Sequence, residues 1–371
     1  MHVDTATPVD PFTDTAVPEL TDVRAGEALE WDVIEQHLRS HLPAELDLDG
    51  PFEVLQFPNG SANLTYLIRF ADTELVLRRP PFGTLAPGAH DMKREYRVLS
   101  VLWQIFDKAP RAYLFCDDHD IGGSDFFVME RRKGEVIRGV IPPSMRHHAD
   151  VGRRIGLALV EAMAEFHLLE PSDVGLNDLG KPDGFVARQV GGWKKRWDLV
   201  ANPEYDTVMT EIHERLEHSM PAPQRISLVH NDLKLDNCMF DQADPDSVSA
   251  FFDWDMTTLG DPLIDLGTLL NYWPDPSDPV ETARGSHDGM GRMGLPTRAE
   301  VAKQYGEKTG LDVSLANWYD AFAQWKTATV IQQLHHRWAI GDSTDERMQT
   351  IADRLPLLLA NADKLLTDIG L

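Results

Sequence analysis

Cysteine is nearly absent: Cys116 and Cys238 are the only two in 371 residues. That excludes a disulfide framework and any four-cysteine zinc site. Both stand among apolar neighbours and read as buried, reduced thiols. No apolar run approaches the roughly 18 residues that a membrane-crossing helix needs. The first twenty residues lack the basic start and apolar stretch of a secretory signal, so a cytoplasmic protein is expected. Positive charge is also scarce, with 35 Lys and Arg against 60 Asp and Glu, a net −25 with His neutral. Such a deficit argues against nucleic-acid binding and against docking on anionic lipid. No repeat of 20–50 residues is visible.

What is present suits a folded enzyme-sized chain. The composition is 42% hydrophobic and 26% charged, and the length points to two lobes. Residues 1–27 mix Pro, Asp and Thr without periodicity and read as a flexible arm. An amphipathic helix is predicted from Ala28 to Leu42. The period then falls toward two, predicting strands over Phe52–Phe57, Leu64–Phe70, Glu74–Arg79, Tyr113–Cys116 and Phe126–Glu130, with one helix from Asp91 to Phe106 inserted among them. A lobe of residues 28–131 follows from this, with a second lobe over 132–371. That second lobe reads as mostly helical, including Trp193–Leu199, Ser314–Ile340 and Asp345–Ile369. Two short strands, Ile226–His230 and Ser249–Asp253, interrupt it. The fold class is α+β, a small antiparallel β-lobe with one inserted helix beside a large helical lobe.

Both short strands of the second lobe run into carboxylate-rich turns. One reads His230-Asn231-Asp232-Leu233-Lys234-Leu235-Asp236-Asn237, the other Asp253-Trp254-Asp255. The pair resembles the catalytic loop and metal-binding turn of protein kinases. It is more similar to the kinase-like aminoglycoside and choline phosphotransferase family, whose loop reads H-x-D-x-x-x-x-N and whose second turn reads D-x-D. The phrases LVLRRPP (75–81), REYRVL (94–99) and VHNDLKLDN (229–237) look most like the phosphotransferase domain fused to certain acyl-CoA dehydrogenases. The resemblance runs from about Phe52 to the C-terminus.

It implies a protein-kinase-like bilobal fold, ATP and Mg²⁺ as cofactors, and a small-molecule alcohol as acceptor. The residue types fit that chemistry, which needs an aligned hydroxyl and neutralised phosphate charge. Asp232 can accept the hydroxyl proton and Lys234 can neutralise the transferring group. His230 completes this catalytic set by fixing the loop through hydrogen bonds. Asn237, Asp253 and Asp255 offer the oxygen ligands that Mg²⁺ prefers. Upstream, the V-A-I-K pattern aligns with Val76-Leu77-Arg78, or less well with Arg79, and the paired helix acid is Glu95. An Arg fork can clamp phosphate oxygens and still pair a carboxylate. Ser61 and Asn63 in the turn Asn59–Asn63 are candidate phosphate donors. Met129 and Arg131 flank the segment whose backbone meets adenine in the family. Asp265, after Gly260-Asp261-Pro262, is the candidate brace of the catalytic loop.

The acceptor is less legible. Trp193, Trp197, Trp273, Trp325, Gln332, His335, His336 and Trp338 are candidates to line its pocket. The long helix carries Lys326 and Arg337 rather than a dense acidic set, which leans toward a neutral or anionic alcohol. The dehydrogenase-fused relatives point to a hydroxyacyl compound or its CoA thioester. A catalytically silent nucleotide-binding module and an aminoglycoside phosphotransferase are the alternatives, and a homodimer is left open. The span from Asp253 to Asp265 leaves no room for a protein-kinase activation segment. Zinc hydrolysis is not supported, because His213 and His218 stand five apart and diverge on a helix.

Overall fold

The computed structural model describes residues 10–12, 19–58, 63–83, 91–278, 287, 289–343 and 345–371. After α1 (Trp31–His41), the period-two segments form β1 (Phe52–Gln56), β2 (Leu64–Phe70), β3 (Thr73–Arg79), β4 (Ala112–Cys116) and β5 (Phe126–Glu130). They make one antiparallel sheet in the order β1-β2-β3-β5-β4. Successive side chains on a strand point to opposite faces, so the two faces are covered differently. Ile68, Leu75, Leu77 and Val128 share a core with Ile34 and Leu38 of α1. Val76, Phe127 and Met129 belong to the other core, with Val98, Leu99 and Leu102 of α2 (Met92–Leu102). Asp91 starts α2 by accepting the Arg94 backbone N–H at 2.9 Å, an N-cap. A short α3 (His119–Gly122) joins β4 to β5.

The arm read as flexible is pinned in its second half. Thr21 pairs with Gln56 through backbone bonds of 2.9 and 2.8 Å, and Tyr66 donates its hydroxyl to the Glu27 carbonyl at 2.6 Å. Residues 1–9 and 13–18 of that arm lie outside the described residues.

The larger lobe is built from α4 (Val151–Leu168), α5 (Phe185–Asp198), α6 (Asp206–His218), α7 (Leu263–Asn271), α8 (Arg298–Thr309), α9 (Ala316–Ala339), α10 (Arg347–Thr350) and α11 (Leu355–Asp368). α7 is buried on every side and lies against α9. The approach is close enough that a Cβ on Gly267 would stand 2.3 Å from the Tyr319 carbonyl oxygen. Only glycine fits there. Two expectations need correcting. α5 begins at Phe185 rather than Trp193, because burial of Phe185, Val186 and Val190 carries the helix through Gly191-Gly192. The expected C-terminal helix breaks into α10, a 3₁₀ turn over Ile351–Arg354, and α11 with Pro356 in its first turn, where proline is tolerated.

Three further strands are too short for a periodicity to show: β6 (Glu135–Val136), β8 (Cys238–Phe240) and β10 (Thr258–Gly260). With β7 (Ser227–Val229) and β9 (Val248–Phe251) they make the ladders β10-β7 and β6-β8-β9. These ladders hold both carboxylate turns. Among the described residues no helix is long and apolar enough to cross a membrane.

Candidate active site

Residues 230–237 leave β7 and return in β8, while β9 leads into Asp253 and β10 comes back to pair β7. Backbone bonding ties the two turns together, since the Phe252 N–H donates to the Asn237 carbonyl at 2.9 Å. His230 adds a second tie. Its Nε2 donates to the Phe252 carbonyl oxygen at 2.8 Å, and its Nδ1 accepts the Asp232 N–H at 3.4 Å. Both ring nitrogens of this buried histidine are thus engaged inside the loops.

Within the loop, Asp232 is the focus. Lys234 Nζ donates to Asp232 Oδ2 at 2.7 Å, and Asn237 Nδ2 donates to the same oxygen at 3.0 Å and to the Asp232 carbonyl at 2.8 Å. With its amide nitrogen so engaged, Asn237 keeps Oδ1 as an acceptor. Burial works against the Lys234 ammonium, but Asp232, Tyr272 and Asp236 outweigh it and hold its pKa above the ordinary value.

Asp265 braces this loop from α7. Its Oδ2 accepts the His230 N–H at 2.6 Å and its Oδ1 the Asn231 N–H at 2.7 Å. His167 Nε2 lies 3.0 Å from Oδ2, and His167 Nδ1 bonds the Tyr305 hydroxyl at 2.7 Å. Burial would raise the Asp265 pKa, but this bonding to His167 and the loop holds it below the ordinary value. The bracing lets Asn231 adopt φ 67°, and Asp253 likewise takes φ 69°. Left-handed backbone is costly for residues other than glycine and persists where neighbours over-determine it.

The smaller lobe contributes Arg78. Its Nε stands 3.0 Å from Glu95 Oε2, an ion contact rather than an aligned hydrogen bond, and its Nη2 donates to Asp253 Oδ1. Glu95 is 1% exposed and its Oε1 accepts the Trp254 N–H at 3.4 Å. The choice between Arg78 and Arg79 falls to strand parity. Arg78 shares the face of Val76, toward α2, whereas Arg79 points with Leu77 and donates to the Gly122 carbonyl at 3.1 Å. A one-residue slip would exchange them.

Asp253 and Asp255 differ electrostatically. Burial pushes Asp253 up, but Arg78, His230 and Lys234 hold it below the usual range. Burial, then the charge of Asp253, pushes Asp255 up to about 6. Asp253 and Asp255 stand on a turn that the Phe252–Asn237 backbone bond ties to the loop carrying Asn237, and the carboxylate and amide oxygens of these three side chains are the hard donors that suit Mg²⁺. Among the described residues no three His, Cys, Asp or Glu side chains gather into a metal cage.

Ser61 falls outside the described residues, and Asn63 is buried just before β2. Met129 is buried in β5, and the Arg131 guanidinium is held by Glu74 at 2.6 Å and Glu19 at 3.1 Å. Only the backbone of that segment is left for a ligand. Trp197, Trp273 and Trp325 are fully buried and donate their indole N–H groups to Asp206, the Pro296 carbonyl and the Met209 carbonyl. They are core, not pocket lining. Gln332 donates to the Val200 carbonyl at 2.9 Å. His167 and Tyr305 were missed, since a lone buried histidine carries no local pattern.

The model of the phosphotransferase enzyme family matches residues 53–302. The chain belongs to that family. It is 32% identical over 338 residues to mouse acyl-CoA dehydrogenase family member 10, covering 90% of this chain and 31% of that protein. The chain therefore spans about a third of that relative's length. A putative aminoglycoside phosphotransferase from Ralstonia eutropha is similar in structure, with a TM-score of 0.74 and 25% identity over 92% of this chain and 99% of that one. An aminoglycoside phosphotransferase solved with AMP-PNP and hygromycin B shares the fold, with a TM-score of 0.54 and 12% identity over 86% of this chain and 95% of its own. The family resemblance and the kinase-like bilobal fold expected from the sequence are both borne out.

Proposed function

We propose that the chain transfers the γ-phosphoryl group of ATP to the hydroxyl of a small alcohol, a hydroxyacyl compound or its CoA thioester. One observation carries the reading: Lys234 and Asn237 converge on a single oxygen of Asp232. That leaves Asp232 Oδ1 to accept the proton of an acceptor hydroxyl and to aim its oxygen at the phosphorus. Lys234 then offers its ammonium to the charge spread over the transferring group. Asn237, Asp253 and Asp255 would hold Mg²⁺, which supplies charge neutralisation at the nucleotide phosphates when bound. Arg78 would clamp the phosphates, held in orientation by Glu95. Asn63, and Ser61 beside it, would cover them, and the backbone of Met129 to Arg131 would meet the adenine. His230 and Asp265 position the loop. Residues 28–131 are thus proposed as the nucleotide-binding lobe and 132–371 as the catalytic and acceptor lobe. The hydroxyacyl acceptor is supported by likeness to a protein named as an acyl-CoA dehydrogenase family member.

The test is acceptor-dependent ADP release across hydroxy acids, hydroxyacyl-CoA thioesters, choline-like alcohols and aminoglycosides. Release with a hydroxyacyl compound alone supports the full proposal. Release with aminoglycosides alone replaces the acceptor, and no release with any of them favours a silent nucleotide-binding module.

A further inference from the structure

Against the catalytic loop stands a cation that the mechanism does not use. Lys326 of α9 donates its Nζ to the carbonyl oxygen of Asn231 at 3.0 Å, one peptide unit before Asp232. The same Nζ is 5.5 Å from the centre of the Trp193 ring. Arg196, one turn further along α5, sets its guanidinium carbon 4.3 Å from that ring. Trp193 is itself buried and is steadied by an indole N–H bond to Gln189 at 3.3 Å. Two cations thus share one aromatic ring, and one of them bonds the loop.

Neither has a carboxylate within 4.0 Å among the described residues, although acids outnumber bases 60 to 35. Lys326 is partly buried, and this burial lowers its pKa in spite of the more distant Asp232 and Asp265. A neutral amide could bond the Asn231 carbonyl without that desolvation cost. One carbonyl also leaves two of the three ammonium protons unused. An oxyanion would restore what burial removes.

We infer that Lys326, with Arg196 over Trp193, forms a subsite for an oxyanion of the acceptor, a carboxylate or a phosphate carried on the same molecule as the reacting hydroxyl. The inference rests on the proposal that the acceptor binds beside Asp232. It selects anionic alcohols and disfavours polycations, which would meet like charge.

Calorimetric titration of the full chain tests it with two matched pairs, 3-hydroxybutyrate with 3-hydroxybutyramide and glycerol 3-phosphate with glycerol. The pairs separate a carboxylate from a phosphate. The wild-type chain is expected to bind at least one anion about 10–100-fold more tightly than its uncharged partner, the worth of a charge-assisted hydrogen bond. Lys326→Met should lose that preference, Lys326→Arg should keep most of it, and Arg196→Gln should reduce it. Retention by Lys326→Arg keeps the test decisive if the methionine variant does not fold. Equal binding of anion and uncharged partner by the wild type overturns the subsite, as does an unchanged preference in Lys326→Met. ADP release in the same samples separates the two ideas. Anion preference without release sinks the phosphotransfer proposal and leaves the subsite, whereas release specific to the uncharged alcohols does the reverse.

Discussion

Arg78 and Asp253, 175 positions apart in the chain, are joined by a hydrogen bond from Nη2 to Oδ1 that links the two lobes. The arginine also holds the buried Glu95, so it ties α2 and the Asp253 turn to β3. Its pKa is raised by Glu95, Asp253 and Asp255 against the burial that opposes charge. It stays charged.

That bridge makes Arg78 dual in effect. Burial, against the pull of Arg78, raises the Glu95 pKa to about 8, so Arg78→Ala removes a partner of a largely protonated acid, a loss of about 1–3 kcal/mol in stability, and should weaken ATP binding. Arg78→Lys keeps the charge without the fork and should retain part of both. Urea unfolding and nucleotide titration measure the two separately. Unchanged ATP affinity in a folded Arg78→Ala would remove the proposed phosphate clamp.

Metal dependence follows from the donor set. Asn237 and Asp253 are too few to hold Mg²⁺ alone, so the ion should bind only with nucleotide. Chelation should weaken ATP binding in the wild type and make little difference in Asp253→Ala. Tight Mg²⁺ binding without ATP, unaffected by Asp253→Ala, is the calorimetric result that would contradict this.

Asp232→Asn keeps the loop's shape and removes the proton acceptor. ATP affinity should hold while kcat falls roughly 10²–10⁴-fold, the usual worth of a positioned general base. Steady-state kinetics with the acceptor found by the screen checks it; unchanged turnover would exclude Asp232 from the chemistry.

Asp265→Asn should act through the loop. It weakens acceptance of the His230 and Asn231 N–H groups and the bond to His167. A loss of about 2–4 kcal/mol is expected in urea unfolding, since charged buried bonds are worth more than neutral ones. Asparagine matching aspartate in both stability and kcat would mean that the brace is not electrostatic.

Acid sensitivity should have one identifiable source in the β-lobe. Burial would raise the Glu74 pKa, but Lys133, Arg69 and Arg131 pull it down to about 2 from an ordinary 4.5. The unfolded chain therefore binds more protons between those values. The stabilisation is complete above pH 4.5 and is lost as pH falls toward 2. With Lys133 largely exposed, its size is about 1–2 kcal/mol. Glu74→Gln should flatten the acid limb of a stability-versus-pH curve by that amount, and an unaltered limb would locate the sensitivity elsewhere.

Much of this protein was local and so could be read along the chain. The five strands of the sheet are short apolar, β-rich runs, and the strings 230–237 and 253–255 carry their chemistry in consecutive residues. Turns and amphipathic stripes are short-range consequences of backbone sterics and apolar spacing. Tertiary structure decided the rest. Parity in β3 chose Arg78 over Arg79 only once the packed faces were known. Burial turned Trp197, Trp273 and Trp325 from pocket candidates into core, and drove α5 through two glycines. His167 and Tyr305 reach Asp265 across 98 positions and through a second helix, and Lys326 reaches Asn231 across 95. Neither His167 nor Tyr305 has a sequence neighbour that announces it, and nothing beside Lys326 ties it to the loop. Such contacts exist because folding buries polar groups far apart in the chain, and each must then find a partner or leave room for a ligand.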